Sequence, residues 1–290
     1  MGTVAKFNVN DGSIAMYATF PSSGGSSVSS VDGDNSNMFV SYQECVPCTG
    51  GASVCTPRTN NGGVPIGGFE DTCTKYLAKM PASGAGVTTR TWRVTIPDEV
   101  SVGYIRQSHD GGMLAWGSVR GTNVALAGQT LTRANAGTSS SAVMLKFSQD
   151  GLLSWYSFPG GSDSVSNGKF DLSADGTKLI AQGRFSGTKT FGSTSLTASY
   201  GPYTSYIVSL NPSNGAVLWA EQVPMCRGVQ VTPDNAHVGI VSQFGGSGPR
   251  AAGPGARRWV YVTGLGRNTR CFVFSWARRC VFESGLGFRV

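Results

Sequence analysis

GKFDLSADGTKLIAQGRF (residues 168–185), followed after a loop by SYIVSLNPSNGAVLWAEQV (205–223), reads as two consecutive β-hairpins. GKFDLS alternates polar and apolar residues, and Ala174-Asp175-Gly176 then reverses the chain into KLIAQGRF. SYIVSL forms a third strand, and the turn Asn211-Pro212-Ser213-Asn214-Gly215 leads into a fourth, AVLWAEQV. Alternation bounded by Asp-Gly, Asn-Gly and proline-containing turns is what antiparallel hairpins require.

The same pattern recurs along the chain. The second hairpin has versions at 4–21 (VAKFNVNDGSIAMYATFP), 77–97 (LAKMPASGAGVTTRTWRVTIP), 144–159 (MLKFSQDGLLSWYSFP) and 207–224 (IVSLNPSNGAVLWAEQVP). The acidic turn and the apolar run after it recur as DNSNMFVSY from Asp34, DGGMLAWGS from Asp110, DGTKLIAQG from Asp175 and DNAHVGIVS from Asp234. These turns stand 76, 65 and 59 residues apart. Such self-similarity marks a repeat architecture, and radially repeated four-stranded sheets are the blades of a β-propeller. The period exceeds the roughly 33–34 residues of tetratricopeptide or ankyrin units and the roughly 40–45 of WD40 blades. The extra length falls between the second and third strands, as in SGTKTFGSTSLTAS (186–199) and RGTNVALAGQTLTRA (120–134).

GRFSGTKTFGSTSLTAS followed by YIVSLNPSNGAVLWAEQ resembles the bacterial-type propeller repeats of the SBBP and quinoprotein-like (PQQ-like) class. Repeats of that class have an apolar strand ending in Gly, a "tFGgttLts" loop and a "fvaKldpsGnvlWa" hairpin. The likeness covers about residues 3–246 and is strongest from Met113 to Phe244. It implies an architecture and no one activity, because fold does not fix function.

Strand counting places three blades at 28–96, 100–158 and 168–223, with half-blades at 4–20 and 228–244, together about four blade equivalents. The expectation is an incomplete ring within residues 1–249; pairing of the two halves into a closed four-bladed ring is the alternative. The chain opens partway through a repeating unit, which suggests sequence upstream. It has no basic start with an apolar run, so no signal peptide is read from it.

Residues 250–290 break the pattern. They carry eight Arg, no Lys and one acid, Glu283, whereas residues 1–249 balance 15 basic against 15 acidic side chains. The whole formal charge of +7 therefore sits in this segment. It reads as a frameshifted or disordered tail, with a polyanion-binding arm as the functional alternative. The neutral body implies no pull toward nucleic acid, and no run of about 18 apolar residues spans a membrane.

The first repeat replaces its loop by an insert carrying Cys45, Cys48, Cys55 and Cys73. Two disulfides stapling a Gly- and Thr-rich loop are expected, their connectivity undetermined by spacing. A four-thiolate zinc site is the alternative, although it usually needs two close pairs and only Cys45-Val46-Pro47-Cys48 is close. Asp32, Asp34 and Ser36 alternate oxygen-bearing side chains as calcium loops do; the opposing reading is an ordinary polar turn. No other cofactor is suggested. His109 and His237 read as surface residues, since nothing marks a base oriented by a third group. Trp92, Trp155 and Trp219 occupy one repeated position and are expected to pack between blades, as the similar tryptophan does in quinoprotein propellers. Trp116 does not recur, which makes it the candidate ligand contact.

The reading that follows is a non-catalytic binding or adhesion module, secreted or at the cell surface, recognising a glycan or a protein through loops on a rigid scaffold. The competing readings are a fragment of a propeller enzyme (a quinone-dependent dehydrogenase or a polysaccharide lyase) and a gene-model fragment without independent function. Unpaired sheet edges would favour edge-to-edge self-association.

Overall fold

The computed structural model describes residues 2–7, 14–20, 25–34, 36–46, 57–59, 65–69, 72–82, 84–85, 90–133, 140–160, 166–199, 204–223, 226–232, 235, 237–243, 258–264, 269–273, 281–282 and 288–289. The fold is all-β, built from four-stranded antiparallel sheets of the propeller type. Two compact units divide the chain, Met1–Phe158 and Pro159–Val290.

In the first unit, blade 1 comprises Gly25–Gly33, Asn37–Val46, Thr72–Pro81 and Trp92–Ile96. Blade 2 comprises Val100–Gln107, Met113–Val119, Ser141–Phe147 and Leu153–Ser157. A hairpin of Gly2–Phe7 and Ile14–Phe20 precedes them, joined in parallel by Gly84–Ala85. The register of this hairpin shifts between Lys6 and Phe7, where blade 2 shifts between Lys146 and Phe147 and blade 3 between Ser209 and Leu210. It is therefore the third and fourth strands of the same repeat.

In the second unit, blade 3 comprises Ser166–Leu172, Leu179–Arg184, Ser205–Leu210 and Val217–Val223. A fourth sheet orders Cys226–Val231, His237–Gln243, Arg258–Gly264 and Thr269–Val273. This sheet carries the half-blade expected at 228–244 on into strands at 258–264 and 269–273. WVYVTG and TRCFV are rich in β-branched and aromatic residues. Pairing them, from His237↔Gly264 to Gln243↔Arg258, covers what would otherwise be a bare strand edge.

Burial explains the written pattern of each strand. The second and third strands lie at the centre of a blade with both faces covered, so MLAWGSV and SAVMLKF are almost continuously buried and read as predominantly apolar runs. First and fourth strands are half-exposed and alternate, as CRGVQV does. The longer loops fold as short hairpins, Asn123–Leu126 with Gln129–Thr132 and Thr188–Phe191 with Thr194–Thr197. Phe191 anchors the latter against Phe185 and Tyr206.

Blades 1 and 2 share one core, in which Phe39, Leu77 and Ile96 meet Ile105, Met113, Leu145 and Phe147. Each such side chain contributes about 1.5–3 kcal/mol by leaving water. Trp92 closes that core between the rings of Phe39 (6.1 Å) and Phe147 (6.4 Å), and its indole Nε1 donates to the Gln149 carbonyl at 2.8 Å. Lys79 Nζ reaches the same carbonyl at 3.4 Å. The turn that presents it needs Gly151 twice over. Its φ is +83°, and a Cβ there would lie 2.8 Å from the Trp92 ring. Trp219 packs in the same manner on the core of Ile180, Ile207, Val229 and Val231.

Each first strand also bulges, at Val28/Ser30, Val102/Tyr104, Asn167/Phe170 and Cys226/Gly228. The bulge brings main chain onto the end of the second strand, where the repeat places glycine in blades 2 and 3. A Cβ on Gly183 would run into the Ser166 carbonyl and come within 2.5 Å of the Tyr206 hydroxyl. That hydroxyl in turn donates to the Ser166 carbonyl at 3.1 Å.

Candidate functional site

The insert of blade 1 rises from a neck formed by the second and third strands. In blade 2 the corresponding pairing stops at Val119↔Ser141, the counterpart of Glu44↔Thr74. In blade 1 two further pairs follow, Cys45↔Cys73 and Val46↔Thr72. Cys45 and Cys73 sit directly opposite, with Cα atoms 4.0 Å apart, and are joined by a disulfide. Directly opposed residues in a closely spaced antiparallel pair place their Cβ atoms within disulfide reach. Cys48 and Cys55 lie outside the described residues. Cys226 is a free, buried thiol whose pKa burial pushes up to about 11, so it is inert at neutral pH.

Just below the disulfide lies a cluster of charge and aromatic rings that the sequence reading did not identify. Tyr42 and Tyr76, opposite each other on the neck strands, stack at 5.3 Å. Arg93, on the fourth strand, lays its guanidinium over the Tyr76 ring at 4.4 Å, and Arg90 sits over Tyr42 at 5.3 Å. Both approach one carboxylate: Arg90 Nη2 donates to Glu44 Oε1 at 2.7 Å, and Arg93 Nη1 lies 3.6 Å from Glu44 Oε2. Burial raises the Tyr42 phenol above its ordinary value despite the two guanidiniums, so it stays neutral. The available signal was TRTWRV, with Arg90 and Arg93 flanking a strand tryptophan.

Trp116 is corrected by the structure. It is 0% exposed and offers no surface to a ligand. Its register partner is Met144, which places it level with Gln182 in blade 3 and Ser41 in blade 1. Those residues are 3% and 6% exposed, so the position is internal in every case.

The acidic residues proposed for calcium are engaged by amides. Asp32 Oδ2 accepts the Gln107 backbone N–H at 2.6 Å, and Asp34 Oδ2 accepts the Gln107 side-chain amide at 2.6 Å. Asp34 Oδ1 takes the N–H groups of Ser36 and Asn37, both at 2.7 Å, which makes it a turn former. Ser36 is exposed beside it. Asp32 thus joins blade 1 to blade 2. Asp171, at the same register in blade 3, accepts the Val231 N–H of the fourth sheet at 2.8 Å. Among the described residues no group of three His, Cys, Asp or Glu side chains is arranged to hold a metal, and no helix is long and apolar enough to cross a membrane. His109 is exposed and His237 half-buried.

The other acidic turns show what the repeated aspartate does. The Ser173 hydroxyl and the Thr177 N–H, at 2.6 and 3.0 Å, hold the Asp175 carboxyl down at about 2. For Asp110, burial pushes the pKa upward, but Lys146 at 2.8 Å, Ser108 and Gly112 outweigh it and the pKa is lowered. A carboxyl depressed on folding adds stability that is present above its unfolded pKa, near 4, and is lost as pH falls through the folded value. Asp110→Asn is therefore expected to cost about 1 kcal/mol at most at pH 7, since solvent screens the exposed carboxylate. The difference from wild type should shrink below about pH 4. Urea melts of both proteins from pH 7 to pH 2.5 test this, and a difference that stays constant would refute it.

No family model matches the sequence, and no curated protein matches it. Among solved structures the chain is similar to hydrazine synthase of Kuenenia stuttgartiensis, at 10% identity over 86% of this chain and 66% of that one, with a TM-score of 0.44. It is similar to the propeller of Dos1 at 10% identity, over 96% and 66%, with a TM-score of 0.48. A protein of unknown function from Bacteroides caccae gives 10% identity, 90% and 86%, and a TM-score of 0.37. The chain spans 66% of the length of the first two.

Proposed function

We propose that this chain is a non-catalytic binding module, secreted or displayed at a cell surface, which recognises a glycan or a protein through the insert of blade 1. The disulfide between Cys45 and Cys73 carries this reading. Structural disulfides belong to oxidising compartments, and this one pins the root of a long insertion onto a packed sheet. A variable loop held on a rigid scaffold is the usual arrangement of a recognition surface. The repeats are, on this reading, of the SBBP or quinoprotein-like type.

The test replaces residues 47–71 by a short Gly-Ser turn, leaving the Cys45–Cys73 pair in place. Both proteins are produced in an oxidising compartment and applied to an array of neutral, acidic and amino-sugar glycans and to a panel of purified extracellular proteins. Wild type is expected to bind a defined subset, and the loop-replaced protein, with unchanged circular dichroism, to lose it. Equal binding by the two proteins would remove the insert from the recognition surface. Turnover of a sugar or alcohol substrate with added quinone and calcium would favour an enzyme instead.

A further inference from the structure

The Glu44, Arg90 and Arg93 cluster is unequal in both charge and exposure. Two guanidiniums share a single carboxylate. The acid is withdrawn, with its side chain 19% exposed, while Arg90 is 25% and Arg93 42% exposed. Arg93 stands 3.6 Å from Glu44, beyond hydrogen-bond length, while stacking on Tyr76 fixes the plane of its guanidinium. Arg93 also hydrogen-bonds toward the Tyr42 phenol, so its guanidinium is held on three sides yet stays 42% exposed, which suits a planar oxyanion. On the same face, Thr95 lies level with Tyr76 and exposed, and Thr74 is next to it along the neck.

We propose that this patch binds the carboxylate of an acidic sugar, a uronate or sialate residue of a glycan, with Arg93 as the residue that takes the charge. Arg90 and Glu44 hold Arg93 in place, and the threonine hydroxyls suit the neighbouring sugar hydroxyls. A polyacidic peptide fits less well. Among the described residues Arg90 and Arg93 are the only cations on this face of blade 1, because Lys75 and Lys79 project from the other side of the third strand. This inference rests on the binding-module reading and names the ligand class for it.

The probes are oligogalacturonide, oligoglucuronide and sialyl-oligosaccharide, the methyl ester of each, and poly-glutamate, titrated calorimetrically into the full chain. At least one acidic sugar is expected to bind, with its ester at least about tenfold weaker, the loss of one charge-assisted contact. Arg93→Gln should weaken the acidic sugar by a similar factor, with Arg93→Lys intermediate, and the thermal midpoint should move little because Arg93 is at the surface. Equal binding of acid and ester, an Arg93→Gln protein that binds as wild type does, or poly-glutamate as the sole ligand would each overturn the assignment. So would binding confined to neutral glycans or to a protein on the panels above, but that result leaves the module reading standing. Loss of all binding on every panel removes both.

Discussion

Replacing Trp116 by alanine is expected to lower the unfolding free energy by about 3–5 kcal/mol, the range for removing a buried large aromatic side chain. The ring is wholly enclosed on a central strand whose residues are themselves buried. Gln182 and Ser41 show that the position accepts smaller side chains where the surroundings were built for them. Blade 2 was built for an indole. Urea denaturation at neutral pH reads the difference, with Trp116→Phe expected to recover part of it. A loss below about 1 kcal/mol, together with a loss of glycan binding, would return Trp116 to the role of ligand contact.

The second large effect belongs to the disulfide. Its half-cystines are 28 residues apart, and removing a cross-link of that span frees unfolded-state entropy worth about 3–4 kcal/mol. The double change Cys45→Ser with Cys73→Ser should therefore lower the stability of the first unit by about that amount. Denaturation followed through the tryptophans of blades 1 and 2 checks this under oxidising conditions. Wild type in a thiol reductant should approach the double variant. If the variant melts where oxidised wild type does, the insert is held by something other than this bond.

The sheets were legible because their sequence pattern follows burial directly. Central strands such as MLAWGSV and SAVMLKF are mostly apolar because both faces are covered, and the half-covered strands alternate. Turns such as Ser173-Ala174-Asp175-Gly176 are local and announce themselves. Interactions between distant segments were not legible. Spacing alone left the cysteine pairing open, and only the register of the neck strands sets Cys45 opposite Cys73. Arg90 and Glu44 are separated by 46 residues and meet for the same reason. Failure to recur does not make Trp116 a ligand contact, since the residue is wholly buried. The repeated property at that position is enclosure, and side-chain size is free to vary.

The two aspartates that link successive sheets each accept a main-chain N–H from the next one. Asp32 holds the amide of Gln107, and Asp171 holds that of Val231. A joint of this kind asks nothing of the side chain on the far partner, so a copied repeat arrives already able to dock on its neighbour. Divergence can then proceed inside each blade without breaking the seam. This accounts for how one copy came to carry a cysteine-bound insertion while its neighbours kept a short hairpin in the same place.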